Sequence, residues 1–178
     1  MKKQKLVAGA IIITVGLLLV LKSCRTIPKG AKAVEPFDSK KYLGKWFEVA
    51  RLNYVFEKNL DHTTAEYSMK KDGTIKVVNK GYNYKSGKDK KATGVAKFVE
   101  GPDVGKLKVS FFGPFYAGYN VIAIDKDYRY ALVAGKNLKY LWLLSRTPTM
   151  PEDIKAEYLE KAAGLGYKVN DLNWVKQD

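Results

Sequence analysis

The chain of 178 residues has one cysteine, Cys24, and one histidine, His62. A single cysteine excludes an intramolecular disulfide, so the fold must be stable through its hydrophobic core alone. A zinc site or a cysteine–histidine dyad would have to use both residues, and we expect neither. The sequence also has no Gly-x-Ser-x-Gly motif, which is the usual sign of a serine esterase. We therefore expect no cofactor, no metal and no catalytic residue.

Acidic residues are in the minority, since 32 Lys and Arg outweigh 18 Asp and Glu and leave a formal net charge of +14. The basic residues are scattered as singles and pairs without an arginine-rich tract, so nucleic acid is not an expected partner. A basic surface does attract anionic lipid head groups and acidic ligands. Aromatic residues make up 12% of the chain, which favours β-structure.

The first residues have the pattern of an export signal. Three lysines precede an uncharged run of 16 residues, 6–21, that ends in Leu-Lys-Ser-Cys at Cys24. This run has the length of a signal-peptide core and is short for a membrane span. The ending resembles the lipobox of bacterial lipoproteins. An uncleaved membrane anchor is the alternative.

That resemblance implies removal of residues 1–23 and attachment of lipid to Cys24, with several acyl chains giving stable membrane anchoring. Arg25 follows, where lipoproteins retained in the inner membrane carry Asp, so the resemblance implies the outer membrane. Residues 24–36 contain two prolines and no apolar periodicity, which indicates a lipidated tether. We expect the folded domain to span residues 37–178.

Short apolar or alternating runs, broken by turn residues such as Asp72-Gly73, fill most of this domain. Eight strands joined by short turns predict an up-and-down barrel or a sandwich. One helix should follow, with Thr149 as its N-cap and Glu152 completing a capping box. A short last strand is expected near 173–176. The eight predicted strands lie near 45–54, 63–69, 74–82, 91–100, 106–112, 118–125, 129–135 and 139–146.

Three separated motifs decide between barrel and sandwich. They are Gly44-Lys45-Trp46, Asp125-Lys126-Asp127-Tyr128, and Arg146 at the end of the eighth run. In order and spacing they resemble the signature of the lipocalin family, and most closely its bacterial outer-membrane members. The resemblance covers residues 37 to 177. It implies an all-β, eight-stranded antiparallel up-and-down barrel with one C-terminal α-helix packed outside.

The resemblance also assigns structural roles to Gly44, Trp46, Asp125, Tyr128 and Arg146. The Trp46 ring should close one barrel end, with the Arg146 guanidinium over its face in a cation–π contact. Binding of ligand by Arg146 is the less favoured reading. The other barrel end should be open.

Alternation along the first strand predicts that Glu48 and Ala50 face the interior together with Trp46. A buried Glu48 then needs a polar partner. Phe56 lies in a loop that should cover the open end. A dense aromatic stretch should supply rings to the cavity or its rim. The candidate ligand contacts are Glu48, Ala50, Phe56, Phe111, Phe112, Phe115 and Tyr116.

An apolar cavity under a basic exterior is typical of a protein that binds an amphiphile with an anionic head, here a fatty acid or a lysophospholipid. The protein would store or transport that ligand as a monomer or a homodimer. Two alternatives remain open at this point. One is a structural or interaction lipoprotein whose barrel is filled by its own side chains. The other is an extracytoplasmic lipid esterase that uses His62, although the adjacent Asp61 should point to the opposite face of the strand.

Overall fold

A computed structural model describes residues 26–52 and 57–178. The expected signal segment 1–23, the expected lipid attachment site Cys24 and the expected loop contact Phe56 lie outside the described residues. Within the described ranges, the structure has no helix with the length and apolar character needed to cross a membrane.

Eight antiparallel strands close a barrel, because β1 pairs with β8 on one side and with β2 on the other. A ninth strand pairs with β1 outside the barrel. The predicted barrel is confirmed, including the short last strand. The strands are β1 Gly44–Leu52, β2 Leu60–Met69, β3 Ile75–Asn83, β4 Lys88–Phe98, β5 Lys106–Phe112, β6 Phe115–Ile124, β7 Tyr130–Ala134, β8 Leu141–Ser145 and β9 Leu172–Trp174.

The two ends of the barrel differ in what lies across them. A short helix, α1 (Ser39–Tyr42), precedes β1 at one end, which we call the closed end. The connections 70–74, 99–105 and 125–129 lie at this same end, because consecutive strands alternate in direction. We call the other end the open end, where the β1–β2 connection lies together with the segments 83–88, 112–115 and 135–140.

A second helix, α2 (Glu152–Gly164), packs against the outside of the barrel as predicted, and it buries Tyr158 and Ala162. Its N-cap residue is Pro151, whose side chain makes no capping hydrogen bond. The predicted capping box is therefore wrong. The carbonyl oxygen of Thr149 accepts a hydrogen bond from Ser145 Oγ at 2.8 Å, so Thr149 belongs to the turn that leaves β8.

The segment before α1 is not a free tether over its whole length. Residues 26–36 lie along the outer wall, where Ile27 and Ala31 pack against the core beneath α2. The backbone of Val34 also binds the barrel, donating to Val121 O at 2.8 Å and accepting from Gly105 N at 2.9 Å. Apolar side chains and backbone pairing thus dock a stretch whose prolines had indicated a linker.

Candidate ligand-binding site

The closed end is sealed by stacked side chains. The Trp46 ring is fully buried, and its Nε1 donates to Tyr42 O at 2.8 Å. The Arg146 guanidinium carbon lies 3.9 Å from the centroid of that ring. This is the cation–π geometry that the sequence predicts, and such contacts contribute about 0.5–2 kcal/mol. The stack leaves no room for a ligand at this end of the barrel.

The N–H groups of Arg146 donate hydrogen bonds to backbone carbonyls. Its Nη2 donates to Lys41 O at 2.7 Å and to Leu43 O at 2.9 Å. Its Nη1 donates to Lys45 O at 2.8 Å, and its Nε donates to Tyr128 O at 3.2 Å. One side chain therefore ties α1, β1 and the β6–β7 connection together.

The other motif residues complete the same end. Gly44 has φ +94°, and a Cβ there would lie 3.4 Å from Arg146 Nη1, so the position suits glycine on both counts. Asp125 Oδ1 accepts from the backbone N–H groups of Arg129 and Tyr130, each at 2.6 Å, which fixes the turn. The Tyr128 hydroxyl accepts from the backbone N–H of Asp38 at 2.7 Å.

The interior changes character between the two ends. Near the closed end the inward side chains are buried, for example Leu107 and Val121. Towards the open end, Val109, Phe111 and Trp142 pack against the same interior cluster but are only partly buried. Inward side chains of a closed barrel are reached by solvent only through its interior. We infer from this partial burial that the open half contains accessible apolar space.

Three tyrosine hydroxyls lie between the filled half and the accessible half. The Tyr119 hydroxyl is 2.6 Å from that of Tyr42 and 2.8 Å from that of Tyr67. Burial is the main reason that the pKa of each of these three phenols is raised. They stay neutral near pH 7 and form a polar floor below the apolar walls.

A buried ionic cluster lies beside the accessible space. Arg51 Nη1 donates to Glu48 Oε1 at 2.5 Å, and Arg51 Nη2 donates to Glu57 O at 2.6 Å and to Leu60 O at 2.8 Å. Glu57 Oε2 accepts from Trp142 Nε1 at 3.0 Å. Arg51 therefore pairs a carboxyl group and also binds the part of the β1–β2 connection that leads into β2.

Both carboxyl groups of this cluster are less acidic than usual. Burial raises the pKa of Glu48 to about 8, with the nearby Glu57 adding to the rise and Arg51 opposing it. Burial is likewise the main cause that raises the pKa of Glu57. When one carboxyl keeps its proton, the remaining carboxylate balances Arg51 and the cluster is neutral. A charged cluster would be much more costly to bury.

A β-bulge in β1 overturns one predicted contact. The register with β8 shifts between Glu48 and Ala50, so Val49 and Ala50 both face the core beneath α2. The prediction of Ala50 as a cavity residue is therefore wrong. The same shift turns Arg51 inward, and it supplies the partner that Glu48 needed. Strict alternation places Arg51 outside, which is why sequence reasoning missed it.

The aromatic stretch divides at the open end. Phe111 faces the interior, where its ring approaches the backbone of Gly94. Phe112 is 69% exposed and Phe115 is 79% exposed, at the tip of the β5–β6 hairpin. Tyr116 lies on the outer surface, near the ammonium groups of two lysines. These three rings do not line the cavity wall, because the strands that carry them end or turn outward there.

His62 lies outside the barrel. Its side chain is exposed, and its Nε2 lies 2.6 Å from the carbonyl oxygen of Asp178. Its backbone N–H donates to Lys176 O at 2.7 Å. Nothing in this placement directs the imidazole towards the accessible interior. Across the described part of the chain, no cluster of His, Cys, Asp or Glu has the arrangement of a metal site.

Comparisons with known proteins agree with this geometry. The family model of the lipocalin-like domain matches residues 37–177. The chain is 51% identical over 165 residues to the outer membrane lipoprotein Blc of Citrobacter freundii, and the match covers 93% of each protein. It is 48% identical over 177 residues to the protein of the same name from Escherichia coli K12, covering 99% of this chain and 98% of the relative.

The fold is also similar to solved structures of low sequence identity. Insecticyanin from the tobacco hornworm Manduca sexta aligns with a TM-score of 0.67 at 19% identity, covering 85% of this chain and 86% of that one. A likeness at this identity shows the barrel architecture alone.

Proposed function

Because the chain belongs to the lipocalin family, we propose that its barrel binds one amphiphilic lipid, a fatty acid or a lysophospholipid, in the open half of its interior. The observation that carries this proposal is the partial burial of inward apolar side chains between the tyrosine floor and the open end. These side chains are Val109, Phe111 and Trp142. An aliphatic tail there would gain about 0.8 kcal/mol for each methylene that it buries.

The charges of the interior set the direction in which the lipid lies. Arg51 is the cation beside the cavity, and Glu48 and two backbone carbonyls already accept from its Nη1 and Nη2, whereas its buried Nε has no hydrogen-bond partner. A second anion deep in the barrel would also face the carboxyl group of Glu57. The anionic head group is therefore better placed at the open end, where four lysines lie, and the tail points to the tyrosine floor. Those lysines are Lys85, Lys88, Lys136 and Lys139.

The protein localises to the outer membrane, as the names of its bacterial relatives state of those proteins. We propose that Cys24 carries the lipid and that residues 1–23 are removed. The family argues for binding rather than catalysis, since lipocalins are binding proteins. Storage or transport of the bound lipid is the role that this arrangement supports, and the oligomeric state remains a prediction of monomer or homodimer.

Filling the cavity tests the proposal. Val109→Trp should place an indole in the accessible space and exclude about three methylenes of the tail. That loss costs about 2 kcal/mol, or roughly thirtyfold in the Kd for a lysophospholipid. The matched control is Thr93→Trp, because Thr93 has the shape of valine and is exposed on the outer face of the neighbouring strand. The Kd is measured by titrating the purified protein with lysophospholipid and following tryptophan fluorescence.

Two outcomes would reject the proposal. If the wild-type protein binds no added lysophospholipid or fatty acid, and releases none on organic extraction, the barrel is filled by its own side chains. If Val109→Trp and Thr93→Trp bind equally well, the ligand lies elsewhere. Release of free fatty acid from a bound lysophospholipid, abolished by His62→Ala, would favour the esterase alternative.

A further inference from the structure

Exposed apolar side chains collect at the open end of the barrel. Phe115 and Phe112 are the most exposed large apolar residues in the described part of the chain, at 79% and 69%. They flank the turn of the β5–β6 hairpin, which projects at this end. Other exposed apolar residues at the same end are Tyr82, Tyr84, Tyr116 and Leu138. Apolar patches of this kind mark a surface that binds a partner or a membrane.

Charge follows the same division between the ends. The open-end segments 83–88, 112–115 and 135–140 contain four lysines and no carboxylate. The closed-end connections contain five carboxylates, at Asp72, Glu100, Asp103, Asp125 and Asp127, and four basic residues, at Lys70, Lys71, Lys126 and Arg129, so they are close to neutral. A surface with aromatic rings and lysines but no carboxylates is complementary to a membrane with anionic lipids. The anionic head groups attract the lysines, and the rings insert at the membrane interface.

The path of the N-terminal segment is an independent observation. The Thr26 carbonyl accepts from Asn120 Nδ2 at 2.8 Å, and it lies so close to β6 that a Cβ on Gly118 would be 2.2 Å from it. Gly118 is three residues from Phe115 along the strand. Further on, the backbone N–H of Phe37 donates to Asp103 O at the closed end, at 2.7 Å. The segment thus runs from the open half to the closed end.

This path places the proposed lipid attachment site beside the open end. Cys24 is two residues before Thr26, and two residues span at most about 7 Å. A lipid on Cys24 would therefore enter the bilayer on the same side as the exposed rings of the β5–β6 hairpin. A tether of 13 residues would have allowed any orientation, but residues 26–36 are docked.

We propose that the open end docks onto the surface of the membrane, with the tip of the β5–β6 hairpin in the lipid interface. The inference rests on the proposed lipid attachment at Cys24. The anchor, the hairpin and the lysines then contact one bilayer, and the mouth of the barrel faces that bilayer. A single-tailed lipid passes between membrane and cavity without crossing water, and the closed end, which carries the carboxylates, points away from the membrane.

Depth-dependent quenching tests this orientation in the lipidated full chain. Gly113→Cys places a thiol at the hairpin tip, where no atom lies within 4 Å of the added Cβ. Lipid on Cys24 leaves the new thiol as the reactive one, and it is labelled with a fluorophore. The protein is reconstituted into vesicles of phosphatidylethanolamine and phosphatidylglycerol with brominated chains. The control is Val99→Cys, an exposed position at the closed end. Quenching should be about twofold or more stronger at Gly113, since interfacial groups lie within reach of the acyl chains.

A second pair of variants uses the same signal. Adding Phe115→Ser to Gly113→Cys should reduce the quenching, whereas adding Val99→Ser should not. Equal quenching at both ends, or a hairpin shielded by a second copy of the chain instead of lipid, overturns the docking. A chain that does not float with the vesicles refutes the anchor and the docking together. The quenching needs no bound ligand, so a barrel that binds no lipid rejects the proposed function and leaves this measurement valid.

Discussion

The two ends of the barrel differ in the burial and the hydrogen bonding of their side chains. At the closed end the side chains are buried, the rings are stacked, and the donors of Arg146 reach backbone carbonyls. At the open end the rings are exposed, and the segments 83–88, 112–115 and 135–140 carry lysines without acids. The closed end holds the barrel together, and the open end is available for ligand and membrane.

The two inward arginines show the same contrast. Arg146 lies over Trp46 and donates to carbonyls, so its charge has no carboxylate partner among the contacts that hold the closed end. Arg51 pairs with Glu48 and holds the β1–β2 connection next to the accessible interior. The first arginine is part of a fixed seal. The second belongs to a cluster in which burial raises the pKa of both carboxyl groups.

The largest effect should come from disrupting the seal at the closed end, which is the Arg146 guanidinium stacked on Trp46 and bonded to backbone carbonyls. Arg146→Met keeps the aliphatic length but removes four hydrogen bonds to carbonyls and the cation–π contact with Trp46. We expect the free energy of unfolding to fall by about 3 kcal/mol. Chemical denaturation, monitored by tryptophan fluorescence, measures this change.

The matched control for that variant is Arg129→Met. Arg129 is exposed, and its side chain makes surface ion pairs with Asp125 and Asp127 at 3.5 and 3.6 Å. Exposed pairs of this kind contribute about 0–1 kcal/mol. Equal losses in the two variants would mean that the closed end does not hold the barrel together.

The seal was also the part most open to prediction. Its residues could be recognised from short sequence motifs, and the structure brings them together at one end. They are Gly44, Trp46, Asp125 and Arg146. The barrel itself follows from short strands and turn residues, which are local signals. The helix was predicted from its apolar stripe, but its capping residue was not, because the turn after β8 uses Thr149 differently.

The ionic cluster could not be predicted in the same way. Its partners lie on separate strands and on the β1–β2 connection, and the bulge between Glu48 and Ala50 depends on pairing with β8. The sequence around Arg51 reads as an ordinary alternating strand. Glu48 did give one usable signal, since a buried carboxyl group needs a partner. Trp142 gave none, because inward and outward tryptophans look alike in a short apolar run.

The second prediction concerns this cluster. Burial raises the pKa of Glu48 from 4.5 to about 8, so between these values the folded protein keeps a proton that the unfolded chain releases. The free energy of unfolding should therefore fall as the pH rises from about 4.5 to 8, by at most about 1.4 kcal/mol per pH unit for one proton. Glu48→Gln should flatten this dependence, as measured by denaturant titrations across the range.

The control for this prediction is Glu66→Gln, which removes an exposed carboxyl group from β2. Its pH dependence should follow that of the wild type. If Glu48→Gln leaves the pH dependence unchanged over the same interval, Arg51 keeps Glu48 ionised throughout. The open half would then carry a permanent ion pair, and the contrast with the closed end would weaken.

The smallest expected effect on stability comes from replacing one glycine at each end of the barrel. Gly44 has φ +94°, and its added Cβ would lie 3.4 Å from Arg146 Nη1, whereas a Cβ on Gly113 would meet nothing within 4 Å. Gly44→Ala should lower the free energy of unfolding by about 1 kcal/mol or slightly more, because alanine is strained at positive φ and crowds the guanidinium. Gly113→Ala should change it by less than about 0.5 kcal/mol. Equal losses of unfolding free energy in the two variants would show that the β5–β6 hairpin is as constrained as the closed end. The hairpin tip would then enter the lipid interface as a rigid unit.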